Sequence, residues 1–148
     1  MLLSARAAVS CDDIPMPIVM LNRWTLLTGV IAGLVLQQPL LTTVVLGLLL
    51  PGVLFGQRWS PIFRIGSLIL ARWIPDAPRE PRVLMRFNNS IAVGCLAAAQ
   101  LAFLAGAPLI GWIFAGMVAL AAAVALAGFC VGCFLYYQLK QVRVRLAR

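Results

Sequence analysis

The sequence predicts an all-α membrane protein with four transmembrane helices, arranged as two similar hairpins with an amphipathic interfacial helix between them. Three observations predict this fold. Of the 148 residues, 63% are hydrophobic and 11% are charged, whereas about a quarter of the residues in a soluble domain are charged. The apolar residues form four long stretches, and all 12 basic residues fall on one predicted side of them. The whole chain is expected to form one membrane domain.

The first hairpin is expected over residues 18–56. Its first span runs from Ile18 to Leu36, its second from Leu40 to Phe55, and the charge-free segment Gln37-Gln38-Pro39 joins them. A helix that rises about 1.5 Å per residue needs about 20 residues to cross a hydrocarbon core of about 30 Å. The first span roughly meets this length, and the second is a little short.

The middle connection, residues 57–86, includes an apolar piece at residues 61–74 that is too short to cross a bilayer as a helix. Arg64 and Arg72 are two helical turns apart within it. An apolar helix with cationic residues at this spacing is typical of segments that lie in the membrane interface. We therefore expect an interfacial helix over residues 61–74.

The second hairpin is expected over residues 88–138. Its first span runs from Ser90 to about Leu104, and its second begins near Leu109 and stays apolar to Tyr137. The second span is longer than a bilayer requires, so it should tilt or project beyond the lipid. A basic tail of residues 139–148 follows.

The distribution of lysine and arginine predicts the orientation. The two short turns contain no basic residue, and the basic residues of the other segments are Arg6, Arg23, Arg58, Arg64, Arg72, Arg79, Arg82, Arg86, Lys140, Arg143, Arg145 and Arg148. Positively charged segments stay on the cytoplasmic side of a membrane. The N-terminal segment of residues 1–17, the middle connection and the tail are therefore expected in the cytoplasm. Because the basic residues alternate with apolar spans, this pattern argues against nucleic acid as a partner and for the lipid bilayer.

The two hairpins resemble an internal repeat. Met20-Leu21-Asn22 and Arg86-Phe87-Asn88 each open a span, and a charge-free turn with a proline follows each span. Glycine pairs four residues apart, such as Gly29 and Gly33 or Gly128 and Gly132, predict close helix packing in lipid. Gln100, near the middle of a span, is expected to form a hydrogen bond to a neighbouring helix.

The four cysteines are the candidate reactive groups. Cys130 and Cys133 have the two-residue spacing of dithiol exchangers and metal knuckles, and Cys95 is expected at a similar depth. The alternative is that these cysteines, and Cys11, only pack as small apolar side chains. Because the pair is expected to close a helix, the helix dipole should disfavour a thiolate there. The scattered spacing and the lack of histidine give little support for a zinc or iron–sulfur site, so the sequence identifies no cofactor.

Four short motifs stand out along the chain: Leu21-Asn22, Gln57-Arg58-Trp59-Ser60-Pro61, Phe87-Asn88 and Phe129-Cys130-x-x-Cys133. By these motifs the chain resembles, from about Pro17 to Tyr137, the bacterial membrane family DUF4395, a domain of unknown function. The resemblance implies a four-helix membrane fold in the bacterial inner membrane. It also implies an association with thioredoxin-like or sulfur-transfer proteins, and it does not extend to Cys11 or Cys95.

These observations favour an accessory membrane protein over an enzyme. In the leading hypothesis, Cys130 and Cys133 exchange electrons or sulfur with a thioredoxin-like partner at the cytoplasmic face, and Cys95 resolves the intermediate. In the second, the protein is a non-catalytic structural or assembly subunit of a larger membrane complex. A small-solute transporter ranks third, because two hairpins offer a repeat interface but no charged binding group. Proton-relay transport has little support, because all four acidic residues lie outside the spans.

Overall fold

The computed structural model of the protein describes residues 14–129 and 131–147. Six α-helices, which we number α1 to α6, account for most of this part of the chain. Two short strands, β1 and β2, and one turn of 3₁₀ helix connect them. In chain order the elements are β1 (Ile14–Pro15), α1 (Met16–Leu36), α2 (Pro39–Leu54), the 3₁₀ helix (Gln57–Trp59), α3 (Pro61–Ile69), β2 (Arg79–Glu80), α4 (Arg82–Leu104), α5 (Pro108–Leu126) and α6 (Val131–Leu146).

Three of the described helices, α1, α4 and α5, are long and apolar enough to cross a membrane. Helix α2 is apolar but has only 16 residues, which corresponds to a length of about 24 Å. The all-helical, membrane-like character predicted from the sequence is therefore supported. A fourth span at α2 and the arrangement as two hairpins stay predictions.

Proline and left-handed residues set the ends of the long helices. Pro39 and Pro108 lie in the first turns of α2 and α5, where the missing N–H of proline is not needed. Gln37 after α1 and Gly106 after α4 have φ angles of 53° and 79°. After α4, the N–H of Gly106 donates to the carbonyl of Phe103, and the N–H of Ala107 donates to that of Ala102. This pair of bonds is a Schellman motif, which satisfies carbonyls that a helix end would otherwise leave unpaired.

The prediction of one continuous helix from Leu109 to Tyr137 is wrong. Helix α5 ends at Leu126, and α6 begins only at Val131. The N–H of Gly128 donates to the carbonyl of Ala125 at 3.3 Å, and the N–H of Phe129 donates to that of Val124 at 3.1 Å. Gly128 has a φ of 101°, which a residue with a Cβ adopts only with strain. A second Schellman motif at this glycine therefore ends α5, and Gly128 acts in a turn rather than in helix packing.

We expect Gly128→Ala to lower the free energy of unfolding by about 1–2 kcal/mol, because alanine is strained at this positive φ. Gly116→Ala is the matched control, because Gly116 lies inside α5 and an added Cβ would meet no atom within 4 Å. That control should be neutral or should stabilise the helix by up to about 1 kcal/mol. Reversible unfolding in mixed micelles measures both changes. Equal effects of the two substitutions would contradict the assigned turn.

Helices α1, α2, α4 and α5 form a bundle in which α1 and α4 each pack against both α2 and α5. The start of α1 lies beside the start of α4, because Asn22 donates to Asn89. It also lies beside the end of α5, where Arg23 donates to a carbonyl. Arg86, at the start of α4, donates to the carbonyl of Val53 at the end of α2. We call this end, where α1 and α4 begin and α2 and α5 end, the basic end.

Two hydrogen bonds between side chains cross the interior of the bundle. The carboxamide of Asn22 donates to that of Asn89 at 2.9 Å, and both residues are buried. Gln100 of α4 donates to the hydroxyl of Thr42 of α2 at 2.8 Å, so the predicted partner of Gln100 on another helix is confirmed. The partner of Asn22, Asn89, directly follows Asn88, the residue that corresponds to Asn22 in the predicted repeat. The repeat itself stays a prediction.

Helix α3 is shorter than predicted and packs on the bundle. It ends at Ile69, so Arg72 lies outside the helix, in a turn closed by a hydrogen bond from the N–H of Trp73 to the carbonyl of Leu70. Gly66 lies so close to α1 that an added Cβ would meet the side chains of Ile18 and Leu21. The prediction of a helix over residues 61–74 is therefore wrong in length, and its place in the membrane interface stays a prediction.

Strand β2 tethers the middle connection to the start of the bundle. It pairs antiparallel with β1, with Ile14 opposite Glu80 and Pro15 opposite Arg79. The N–H of Met16 also donates to the carbonyl of Pro78 at 2.9 Å. This pairing fixes Glu80 beside the first turns of α1, where it meets Arg23.

Candidate functional site: a cavity lined by Arg23 and Cys95

The structure describes one of the three predicted site cysteines completely. Cys95 lies on α4, is half-buried and is a free thiol. Cys130 lies outside the described residues, as does Cys11. Cys133 belongs to α6 by its backbone, but its side chain is outside the described part of the chain. The predicted proximity of the three thiols therefore stays a prediction.

The helix that contains Cys133 is a new helix rather than the end of α5. Helix α6 begins at Val131, so Cys133 is the third residue of its first turn. The first turn of a helix is its positive end, which favours an anion such as a thiolate. The sequence-based objection assumed that the cysteine pair lay at the negative end of one long helix. The break at Gly128 removes that assumption.

A cavity of about 220 Å³ lies between α1, α4 and α5 and is bounded on one side by α6. Most of its lining is apolar, with Arg23, Asn88 and Cys95 as the residues with a polar or nucleophilic group. The lining residues are Arg23, Leu26, Asn88, Ile91, Ala92, Cys95, Met117, Val118, Ala121, Ala122 and Leu135. Leu135 is two residues beyond Cys133 along α6. The cavity thus brings the thiol of Cys95 and the first turns of α6 to the same region of the bundle.

Among the described residues of the cavity wall, Arg23 alone is charged, and it is 7% exposed. One terminal nitrogen, Nη2, is 3.3 Å from both carboxylate oxygens of Glu80. The other, Nη1, donates to the carbonyl of Ala125 in the last turn of α5 at 3.3 Å. A buried arginine is tolerated when a carboxylate and further acceptors replace its hydration, and the last turn of a helix attracts a cation. Arg23, on α1, is therefore hydrogen-bonded both to β2 and to the end of α5.

One hydrogen-bond donor of the Arg23 side chain has no acceptor in the described part of the chain. The Nε of Arg23 is buried and has no hydrogen-bond partner among the described residues. A buried donor without an acceptor costs about 1–3 kcal/mol, so such groups mark sites where a water molecule or a ligand supplies the missing partner. The unpartnered donor belongs to a residue of the cavity wall, which makes the cavity the candidate site.

Cys95 was predicted from the sequence as a site residue, whereas Arg23 was not. Arg23 was interpreted as one of the basic residues that set the orientation, because it lies near the start of a span. The signal that could have identified it is its position inside an apolar run, seven residues after the start of α1 at Met16. An ionisable residue inside a span is a candidate for function.

The described residues contain no group of three or more histidine, cysteine, aspartate or glutamate side chains that could hold a metal ion. The candidate site is therefore built from an arginine, an amide and a thiol in an apolar wall. Such a wall suits a ligand with an apolar body and an oxygen atom that accepts a hydrogen bond.

Comparison with known proteins identifies a family for the chain but no activity. No curated protein and no solved structure matched the chain. A family model described as a domain of unknown function, DUF4395, matches residues 14–141. This match covers both halves of the bundle and most of α6, including Arg23, Cys95, Cys130 and Cys133. The chain therefore belongs to the DUF4395 family.

Proposed function

We propose that this protein is a dithiol exchange protein of the bacterial inner membrane, in which Cys130 and Cys133 exchange electrons with a soluble thioredoxin-like partner at the cytoplasmic face. The observation that carries the proposal is the start of a separate helix at Val131, which gives Cys133 a place in a first helical turn. Cysteine pairs in thioredoxin-type sites lie at the start of a helix, where the thiolate is stabilised. The thiolate is the form that attacks a disulfide.

The exchange needs no cofactor. A thiolate of the reduced pair attacks a disulfide of the partner, which forms a mixed disulfide and releases one partner thiolate. The second thiol of the pair, after losing its proton, attacks the mixed disulfide and releases the other partner thiolate. The pair is then a disulfide and the partner is a dithiol, so two electrons and two protons have moved. The reverse reaction restores the starting state.

The basic end of the bundle supports the cytoplasmic location. Arg23, Arg79, Arg82 and Arg86 lie there, and Tyr136 of α6 stacks edge-on against Phe87 at a ring separation of 5.7 Å. The first turns of α6 thus adjoin the arginine-rich end, and positively charged segments stay in the cytoplasm. A soluble cytoplasmic partner would reach the cysteine pair there.

Trapping of a mixed disulfide tests the proposal directly. The remaining thiol of a thioredoxin whose resolving cysteine is replaced by serine should attack the Cys130–Cys133 disulfide of the oxidised protein in membranes and release one thiolate of the pair. The mixed disulfide should persist, because the second partner thiol that would release it is absent. The adduct should be lost in the double variant Cys130→Ser/Cys133→Ser and retained in Cys95→Ser, the control with a thiol removed from the cavity. Non-reducing electrophoresis measures it. An adduct that persists in the double variant would contradict the proposal.

Helix α6 favours a second candidate, a structural subunit of a larger complex. Its large apolar side chains from Phe134 onward are exposed, by between 42% at Leu135 and 82% at Leu146, and they alternate with Lys140, Arg143 and Arg145. A basic helix with exposed apolar residues is suited to a membrane surface or a partner. Stable co-purification of a stoichiometric partner, unaffected by Cys130→Ser/Cys133→Ser, would favour this candidate over dithiol exchange.

A further inference from the structure

We propose that the cavity at Arg23 and Cys95 binds the ring of a quinone dissolved in the lipid, and that this quinone reoxidises the cysteine pair. The redox step rests on the proposed dithiol exchange, whereas the binding site stands on the cavity itself. A quinone has the two properties that the cavity favours, an apolar ring and carbonyl oxygens that accept hydrogen bonds. It also has the capacity to take two electrons from thiols, which the proposed dithiol exchange requires.

The dimensions of the cavity fit a substituted six-membered ring. Its volume is about 220 Å³, and an apolar protein cavity of about 150 Å³ binds benzene. The remaining space can hold ring substituents but not a long acyl chain or a peptide. A ligand with a tail would therefore have to extend the tail through the mouth of the cavity.

The mouth opens toward the outer surface of the bundle. Ile91 and Met117, both in the cavity wall, are 39% and 55% exposed, and they lie on α4 and α5, two of the helices suited to cross a membrane. The outer surface of a membrane bundle faces lipid, so a ligand would enter from the hydrocarbon. This geometry favours a membrane-dissolved molecule over a water-soluble one.

The polar groups of the wall fit a quinone carbonyl. The unpartnered Nε–H of Arg23 is a donor attached to a charged group, and such bonds are stronger than those between neutral groups. The amide of Asn88 can provide a second donor. The charge of Arg23 also favours the negative charge that develops on quinone oxygens as they accept electrons.

The redox step balances between the pair and the ring. The reduced Cys130/Cys133 pair loses two electrons and two protons and forms one disulfide bond. The quinone gains these two electrons and two protons and becomes the hydroquinone. Cys95, which lies in the cavity wall, can relay the electrons by forming a transient disulfide with one of the pair, which the other thiol of the pair then resolves.

Binding of decylubiquinone to the full-length protein in phosphatidylcholine nanodiscs tests the site. Met117→Trp should raise the Kd about tenfold by filling the mouth. Ile113→Trp is the matched control, because Ile113 is also 55% exposed on α5 but lies outside the cavity wall, and its Kd should equal that of the natural protein. Arg23→Lys, which keeps the cation and removes Nε, should also raise the Kd about tenfold.

The possible outcomes separate the binding site from the dithiol function. Absence of saturable binding, equal effects of the two tryptophan variants, or equally tight binding of decanoic acid would each overturn the quinone site. The mixed-disulfide trap with thioredoxin could still succeed in those cases. Anaerobic reduction of bound decylubiquinone by the reduced protein, lost in Cys130→Ser/Cys133→Ser, would support the redox step. Saturable binding without reduction would overturn that step, while the binding site would stand and the mixed-disulfide trap would decide separately on dithiol exchange.

Discussion

Replacing Arg23 with methionine is expected to lower the free energy of unfolding by about 3 kcal/mol or more, because it removes the guanidinium that pairs with the buried carboxylate of Glu80. The side chains of Arg23 and Glu80 are only 8% and 11% exposed, and the two charged groups are 3.3 Å apart. Glu80→Gln should cost a similar amount, because the buried charge of Arg23 then loses the carboxylate that balances it. Unfolding of the purified protein in mixed micelles measures both changes.

The double variant Arg23→Met/Glu80→Gln measures how much Arg23 and Glu80 stabilise each other, apart from what each gains from its other contacts. Because it removes both charges, its loss of stability should be smaller than the sum of the two single losses by about 2 kcal/mol or more. Arg64→Met provides the control for loss of a positive charge, since Arg64 is exposed on α3, and it should change stability by no more than about 0.5 kcal/mol. Additive single losses would show that Arg23 and Glu80 do not stabilise each other.

The Arg23–Glu80 pair also shows why the sequence could not predict the centre of the candidate site. The two residues are 57 positions apart, and Glu80 reaches Arg23 because β2 pairs with β1 just before α1. Strands of two residues have no periodicity that could be recognised in a sequence. Lysine and arginine near a span end are also the usual orientation signal. The burial of Arg23 therefore depends on tertiary packing, and the sequence pattern around Arg23 did not predict it.

The break between α5 and α6 was not predicted from the sequence for a different reason. Hydropathy stays high from Leu109 to Tyr137, and a window average of hydropathy contains no information on the sign of φ. The glycine at Gly128 was interpreted as a packing residue, since small residues four apart are common at membrane helix contacts. By contrast, Pro39 and Pro108 combine low hydropathy with a strong preference for a first helical turn. The starts of α2 and α5 were consequently predicted to within one residue.

Close approach of α1 and α2 is the part of the packing that the glycine pattern did predict. A Cβ added at Gly29 would overlap Cγ2 of Val45, and one added at Gly33 would lie 3.2 Å from Cγ2 of Thr42. Val45 is 4% exposed, and a valine in a helix has one preferred rotamer, so it cannot turn aside at low cost. Gly29→Leu should therefore lower the free energy of unfolding by about 3 kcal/mol, the upper range for overpacking a core.

A second substitution at the contact tests the cause of that loss. Val45→Ala removes the methyl group that leucine would overlap, so Gly29→Leu should cost at least about 1 kcal/mol less in the Val45→Ala background than in the natural protein. Gly47→Leu on α2 is the matched control, because an added Cβ there meets no atom within 4 Å. Leucine favours helix over glycine by about 1 kcal/mol, so Gly47→Leu should not destabilise the protein. If Gly29→Leu were equally harmless, α1 and α2 would not be in contact at this position.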